Sequence, residues 1–100
     1  MTYAPRNMGT SCVLADVRTE RERQDEKWGE QNHDPFVYLT VLMEEVGEAA
    51  KDALQTRYGG SDLTKLRTEL VQCAAVAVAA IECLDRGKWA WGNHNPEEGK

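Results

Sequence analysis

The sequence lacks any hydrophobic run long enough to cross a membrane. Its longest uninterrupted apolar segment runs from Cys73 to Ile81, about half of the roughly 20 residues that a spanning helix needs. It also lacks the charged start and apolar stretch of a signal peptide. We therefore expect a cytoplasmic protein with no membrane partner.

Cysteine is scarce, and its arrangement argues against a zinc site or a set of disulfides. The chain has 3 cysteines, with no CxxC pair and no Cys/His cluster. Cys73 and Cys83 lie among Ala, Val and Leu, where a thiol behaves as a small hydrophobic side chain. We expect these thiols to be reduced and buried.

Positively charged residues are fewer than negatively charged ones. The chain has 12 Lys and Arg against 17 Asp and Glu, which gives a formal net charge of −5 at pH 7. Binding to the phosphate backbone of a nucleic acid depends on Lys and Arg, so nucleic acid is not an expected partner. A phosphate bridged by a divalent cation remains compatible with this charge, because the cation reverses the local sign.

The residues that are present predict one small all-α domain. Strand-like alternation, repeats and low-complexity tracts are absent, and apolar residues recur at three- and four-residue steps. Helix signals predict three main helices, at about residues 11–27, 35–57 and 62–86. The helical domain therefore covers residues 11–86. Residues 1–10 form an N-terminal tail, and residues 87–100 form a C-terminal tail that packs on the body or on a neighbouring subunit.

The third predicted helix is apolar nearly all round between Leu70 and Leu84. A helix with this pattern must be buried on several sides. A chain of 100 residues buries only about two-thirds of its unfolded surface, so it has few other residues with which to bury all sides of this helix. We expect oligomerisation to complete the bundle.

Four acids lie within about 100° of the circumference of the second predicted helix: Glu44, Glu45, Glu48 and Asp52. The apolar stripe that includes Leu39 and Val46 lies roughly opposite. By itself, this is the solvated face of an amphipathic helix. Like charges one turn apart repel, however, and a bound cation would relieve that repulsion.

The third predicted helix supplies two more oxygen ligands. Glu69 interrupts its apolar region, and Gln72 follows three residues later. If the second and third helices form an antiparallel hairpin, both residues lie at about the height of Glu48. Hard divalent cations take carboxylate and amide oxygens as ligands, so the pattern favours a metal site between the two helices.

These residues resemble the signature of the MazG-like all-α nucleoside triphosphate pyrophosphohydrolases, which are related to dimeric dUTPases and phosphoribosyl-ATP pyrophosphohydrolases. Their signature is ExxE, often EExxE, followed further along the chain by ExxD. Here Glu44-Glu45-Val46-Gly47-Glu48 supplies the first half, and Glu69-Leu70-Val71-Gln72 stands in the second. The stretch from Glu20 to His33 is also similar to small phage and bacterial members. The closing Asp of the signature is Gln72 here, which keeps a carbonyl oxygen but has no charge.

The resemblance implies a Mg²⁺-dependent hydrolase that converts a nucleoside triphosphate to the monophosphate and pyrophosphate. Mn²⁺ is an alternative cation, and the implied assembly is a homodimer or homotetramer. The implied metal ligands are Glu45, Glu48, Glu69 and Gln72. Glu44 either orients or deprotonates the attacking water or is a further ligand. Glu44, Glu45, Glu48 and Glu69 are thus the expected catalytic residues.

Candidate substrate contacts lie where the first predicted helix ends: Lys27, Trp28, Gln31 and His33. Trp28 would stack on a base, Gln31 would read a base edge, and Lys27 or His33 would meet phosphate. The alternative is a loop held down by a buried tryptophan. Arg21 and two neighbouring arginines are interpreted as a solvated helical face.

A literal ExxD also occurs at Glu82 and Asp85. It begins about 220° around the helix from Glu69 and about 20 Å further along, so we reject it as the ligand pair. We expect these acids to pair with Arg86 or Lys88 instead.

A second hypothesis, from a different class, is a non-catalytic helical oligomer that binds a nucleotide or a protein partner. Gln72 would then mark a disabled metal site. Glu69 argues against this, because a purely structural helix has little reason to keep a carboxylate inside an apolar run.

Overall fold

The computed structural model describes residues 9–60 and 62–89, which form three α-helices. The helices are α1 (Thr10–Trp28), α2 (Pro35–Gly59) and α3 (Leu63–Arg86). No strand occurs in the described ranges. The predicted all-α fold with three main helices is confirmed, and the predicted helix ends lie close to the observed ones. Most of the two predicted tails, residues 1–8 and 90–100, lies outside the described residues.

Local chemistry sets the helix ends. Asp34 caps α2, accepting hydrogen bonds from two backbone N–H groups of the first turn at 2.9 and 3.0 Å, and Pro35 takes the first helical position. Asp62 caps α3 through the N–H of Thr64 at 2.8 Å. Gly60, with a φ of 78°, ends α2 in the left-handed conformation that glycine adopts without strain.

The central helix of the bundle is α3, because both α1 and α2 pack against it. The short turn between α2 and α3 makes them an antiparallel hairpin. Lys65 of α3 places its Nζ 3.4 Å from Oδ1 of Asp52 on α2. Tyr38 near the start of α2 lies beside Cys83 near the end of α3, as the antiparallel arrangement requires.

Two arginine–carboxylate pairs join α1 to α3. Arg21 Nη2 lies 2.7 Å from Glu82 Oε1, and Arg67 Nη2 lies 2.7 Å from Asp16 Oδ2. The interpretation of Arg21 as a solvated residue is therefore wrong, since its side chain is only 13% exposed. Arg21 follows the buried Val17 by one helical turn and so shares the face that meets α3.

The expected partner of Glu82 was also wrong, because it pairs with Arg21 and not with Arg86 or Lys88. The guanidinium of Arg86 is turned toward the connection between α1 and α2, where it hydrogen-bonds Asn32. Tertiary contacts at this end of α3 thus replace the local pairing that the sequence suggested.

The side of α2 and α3 that carries most of their apolar residues is exposed in the single chain. A groove of about 290 Å³ runs along it. Its lining is almost wholly apolar and includes Leu39, Leu42, Ala77, Ile81 and Leu84. The face that α2 turns toward α3 instead includes Tyr38, Ala49 and the carboxylate of Asp52, which are all buried.

The thiols of all three cysteines are free, with Cys83 buried, Cys73 half-buried and Cys12 exposed. Burial is thus confirmed for Cys83 and only partial for Cys73. No helix within residues 9–60 and 62–89 combines the length and apolar character of a membrane span.

Candidate functional site: an acid cluster beside a cavity

Contacts between α2 and α3 show which carboxylates approach one another. Tyr38 of α2 lies beside Cys83 of α3, and Glu45 and Val76 line the same cavity. In this antiparallel arrangement Glu69 lies at about the height of Asp52, whose charge acts on it more strongly than those of Glu45 and Glu48. Glu48 lies one turn before Asp52 on α2, at about the height of Gln72.

Gln72 and Cys73 are both half-buried on α3. Burial raises the pKa of the Cys73 thiol, and the negative charges of Glu45 and Glu69 raise that pKa further. The thiol therefore lies in the electrostatic field of both helices' carboxylates.

Electrostatic coupling links the carboxylates of both helices. Burial raises the pKa of Glu69, and the charges of Asp52, Glu45 and Glu48 add to the rise, while Lys65 lowers it. We call Glu45, Glu48, Asp52 and Glu69 the acid cluster. The charges of Glu45 and Glu48 on α2 thus act on Glu69 of α3, which links the three sequence-predicted glutamate ligands electrostatically. Glu44 and Glu48 are exposed, and Glu45 is half-buried.

Asp52 is the member of the acid cluster that the predicted ligand set omitted. It is 3% exposed, and its Oδ2 has no hydrogen-bond partner. Its position one turn beyond Glu48, on the acidic stripe, was the available signal. The alternative of a solvated acidic face does not hold for Asp52, because the edge of the stripe turns toward α3.

The acid cluster is not a formed coordination shell. Among the described residues, no three His, Cys, Asp or Glu side chains lie close enough together to hold one ion. Carboxylates that face one another repel and separate unless a cation draws them in. The donors still suit a hard divalent cation, since they are carboxylate and amide oxygens, and one buried carboxylate has an oxygen without a hydrogen bond.

A cavity of about 200 Å³ lies between α1 and α2, with α3 as its floor. Val76 and Ala79 form the apolar floor, and Arg86 and the connection between α1 and α2 close one end. Glu45 is part of the wall. The cavity therefore opens beside the acid cluster.

Three of the four predicted substrate contacts line this cavity: Trp28, Gln31 and His33. Lys27 does not line it, and its Nζ lies 4.8 Å from the centroid of the Trp28 ring in a cation–π contact. Trp28 is 53% exposed, so the alternative of a loop held by a buried tryptophan is wrong.

The segment that carries Gln31 and His33 is held from α2 and α3. Arg86 donates from Nε to Asn32 Oδ1 at 3.0 Å and from Nη2 to the carbonyl of Gln31 at 2.9 Å. The Tyr38 hydroxyl donates to the same carbonyl at 2.9 Å. Burial raises the pKa of the Tyr38 phenol, which keeps it a neutral donor. The sequence carried no signal for Arg86, because its partners are far away along the chain.

Arg21 also lines the cavity and was missed as a site residue. It donates to Glu82 at 2.7 Å, Asp25 at 2.9 Å and Gln24 at 3.0 Å. These bonds fix the guanidinium in place. Arg21 and Arg86 thus add two immobilised positive groups to a cavity that adjoins an acid cluster.

Comparisons of the chain with models of protein families, with curated proteins and with solved structures find no match. The likeness to the MazG-like enzymes therefore stays a prediction from the two halves of the signature.

Arg86→Gln should loosen the segment that carries Gln31 and His33. The buried Cys83 thiol donates to the carbonyl of His33 at 3.4 Å, so opening of the segment exposes it. A lost hydrogen bond from a charged group costs about 1.5–3 kcal/mol, which predicts at least about tenfold faster labelling of Cys83 by a thiol reagent.

The labelling is measured in a chain whose Cys12 and Cys73 are replaced by Ser. Lys88→Gln removes one positive charge from an exposed residue close to Arg86 and serves as the control. Equal labelling rates for both variants would show that Arg86 does not hold the segment.

Proposed function

We propose that this chain is a cytoplasmic nucleoside triphosphate pyrophosphohydrolase that uses Mg²⁺, with Mn²⁺ as an alternative. One observation carries the proposal: Glu45 belongs both to the acid cluster and to the wall of the cavity. A nucleotide whose base enters the cavity would present its phosphates to the carboxylates of the acid cluster. The phosphates and the carboxylates are both negatively charged, so their approach becomes favourable only when a cation lies between them.

The dimensions and lining of the cavity support a nucleobase as its occupant. Its volume of about 200 Å³ is below the roughly 300–1,000 Å³ of pockets that enclose whole drug-sized ligands. It therefore suits one part of a nucleotide. Trp28 offers a flat ring, and base stacking on an aromatic side chain is worth about 1–3 kcal/mol. Gln31 and His33 add polar groups that could read a base edge.

Glu45, Glu48 and Glu69 would hold the cation, and Gln72 would add an amide oxygen. When bound, the cation would offset the negative charge that develops on the departing pyrophosphate. Gln72 brings no charge, so the three glutamates supply the attraction in this arrangement.

Glu44 is the candidate for water activation. It is exposed and adjoins Glu45, so its carboxylate can reach solvent beside the acid cluster. Its role is either to orient the attacking water and accept its proton or to act as a further cation ligand. The water oxygen would bond to the α-phosphorus, and the bond from that phosphorus to the bridging oxygen would break. The products are a nucleoside monophosphate and pyrophosphate.

The apolar groove supports assembly into a homodimer or homotetramer. Leu39 on α2 and Ile81 on α3 both line it, and both side chains are more than half exposed in the single chain. Contiguous apolar surface of this kind marks an interaction site. A second copy of the chain would cover it and would complete the burial that the pattern of α3 requires.

Glu45→Gln and Glu48→Gln should each abolish cation-dependent release of pyrophosphate from nucleoside triphosphates. Each change removes a negatively charged ligand but keeps the side-chain shape, so helical content by circular dichroism should stay the same. Loss of a metal ligand should lower turnover at least about tenfold. A panel of ribo- and deoxynucleoside triphosphates with Mg²⁺ or Mn²⁺ provides the measurement.

Glu22→Gln makes the same chemical change at an exposed position on α1 and should leave turnover unaltered. Retention of more than about a tenth of the activity by both cluster variants would contradict the assignment. A folded wild-type chain that releases no pyrophosphate from any triphosphate would favour the non-catalytic oligomer instead.

Light scattering should give a mass that is a multiple of the 11.2 kDa chain. Ile81→Lys should shift that mass toward the monomer, because it puts a charge into the apolar groove. Leu14→Lys on α1 is the matched control, since Leu14 is 58% exposed against 57% for Ile81 but lies outside the groove. A wild-type mass of 11.2 kDa that persists at high concentration would refute the assembly.

A further inference from the structure

We propose that Asp52 supplies a fourth carboxylate to the cation site and that Lys65 is the chain's own cation there, which a divalent cation displaces on binding. This inference rests on the proposed function, because it concerns the same site. It adds two residues that the resemblance to the pyrophosphohydrolases does not indicate.

Asp52 carries a buried charge that its surroundings compensate poorly. Its carboxylate is almost fully buried, and a buried carboxylate normally has several hydrogen bonds or a close cation. Here Oδ1 lies 3.4 Å from Lys65 Nζ, longer than the roughly 2.7–2.9 Å of a charge-assisted hydrogen bond, and Oδ2 accepts none. If the Asp52–Lys65 ion pair had a purely structural role, we would expect closer contact between the two groups and a hydrogen bond to Oδ2 of Asp52.

Lys65 can move away from Asp52 at little energetic cost. Its side chain is 62% exposed, so the ammonium is already partly hydrated and loses few protein contacts on moving into water. It lies one turn before Glu69, and its charge lowers the pKa of Glu69 while the charge of Asp52 raises it. Lys65 thus acts on both carboxylates that a divalent cation would neutralise.

The amide at Gln72 gives the carboxylate of Asp52 a further role. Asp52 is the residue of α2 whose charge acts most strongly on Glu69 of α3, and Glu48 lies one turn before it. A cation between Asp52, Glu48 and Glu69 would have carboxylates from both helices and would not depend on a charge at residue 72. Asp52 therefore compensates for the carboxylate that Gln72 lacks.

The test is the binding of Mn²⁺ to the full chain without nucleotide, measured by electron paramagnetic resonance of the free ion. Asp52→Asn should weaken binding at least about tenfold, because it removes a charged ligand. Lys65→Met should tighten binding at least about threefold, because it removes a competing positive charge from the site. Lys88→Met makes the same change in net charge beyond the far end of α3 and should stay within about twofold of the wild type.

The outcomes separate this inference from the proposed function. If Glu48→Gln abolishes Mn²⁺ binding while Asp52→Asn and Lys65→Met leave it unchanged, this inference is overturned and the proposed function stands. Weaker binding by Lys65→Met would also overturn it, since that result makes Lys65 a structural support. A folded wild type that binds no Mn²⁺ overturns both.

Asp52→Asn leaves a buried amide beside Lys65 and could reduce helical content. In that case the double variant Asp52→Asn/Lys65→Met is compared with Lys65→Met alone. Weaker Mn²⁺ binding by the double variant supports a ligand role for Asp52, and equal binding contradicts it.

Discussion

The packing of α3 against α2 buries the carboxylate of Asp52, and the rest of the candidate site depends on that buried charge. The ion pair of Asp52 with the exposed Lys65 is worth only about 0–1 kcal/mol after solvent screening, which is too little to set how the helices pack. Helix packing therefore sets the register, and the interaction of the Asp52 charge with that of Glu69 is its electrostatic consequence.

This register places acids on the side of α2 that meets α3 and leaves much of the helix's apolar surface outside. The buried hydrophobic residues of the described chain are few and mostly small: Val17, Tyr38, Ala49, Ala75, Val76 and Cys83. Small side chains let the helices approach closely, but they bury little apolar area. The larger residues line the exposed groove, so the same packing that gathers the carboxylates leaves apolar surface for a second subunit to cover.

Local signals explain why much of the fold was predictable. Asp34 and Asp62 indicate where helices start, and glycines indicate where helices end. The three-residue spacing of Glu45 and Glu48 predicts that they share one face of α2. Helical periodicity gives the angle between two faces of a helix but not which face meets a neighbour. The burial of Asp52, the pairing of Arg21 with Glu82 and the hold of Arg86 on Gln31 all depend on that choice. Lys27 was misplaced for a related reason, since its neighbours Trp28 and Gln31 line the cavity while its own side chain folds back over the Trp28 ring.

The central claim is that the acid cluster between α2 and α3 binds a divalent cation. The most direct measurement is the anomalous scattering of Mn²⁺ in crystals of the full chain grown with the ion. We predict a peak between the two helices, with carboxylate oxygens of Glu48 and Glu69 at about 2.0–2.4 Å from the ion. Ordered Glu48 and Glu69 side chains with no peak between them at a saturating Mn²⁺ concentration, or a peak only elsewhere on the chain, would contradict it.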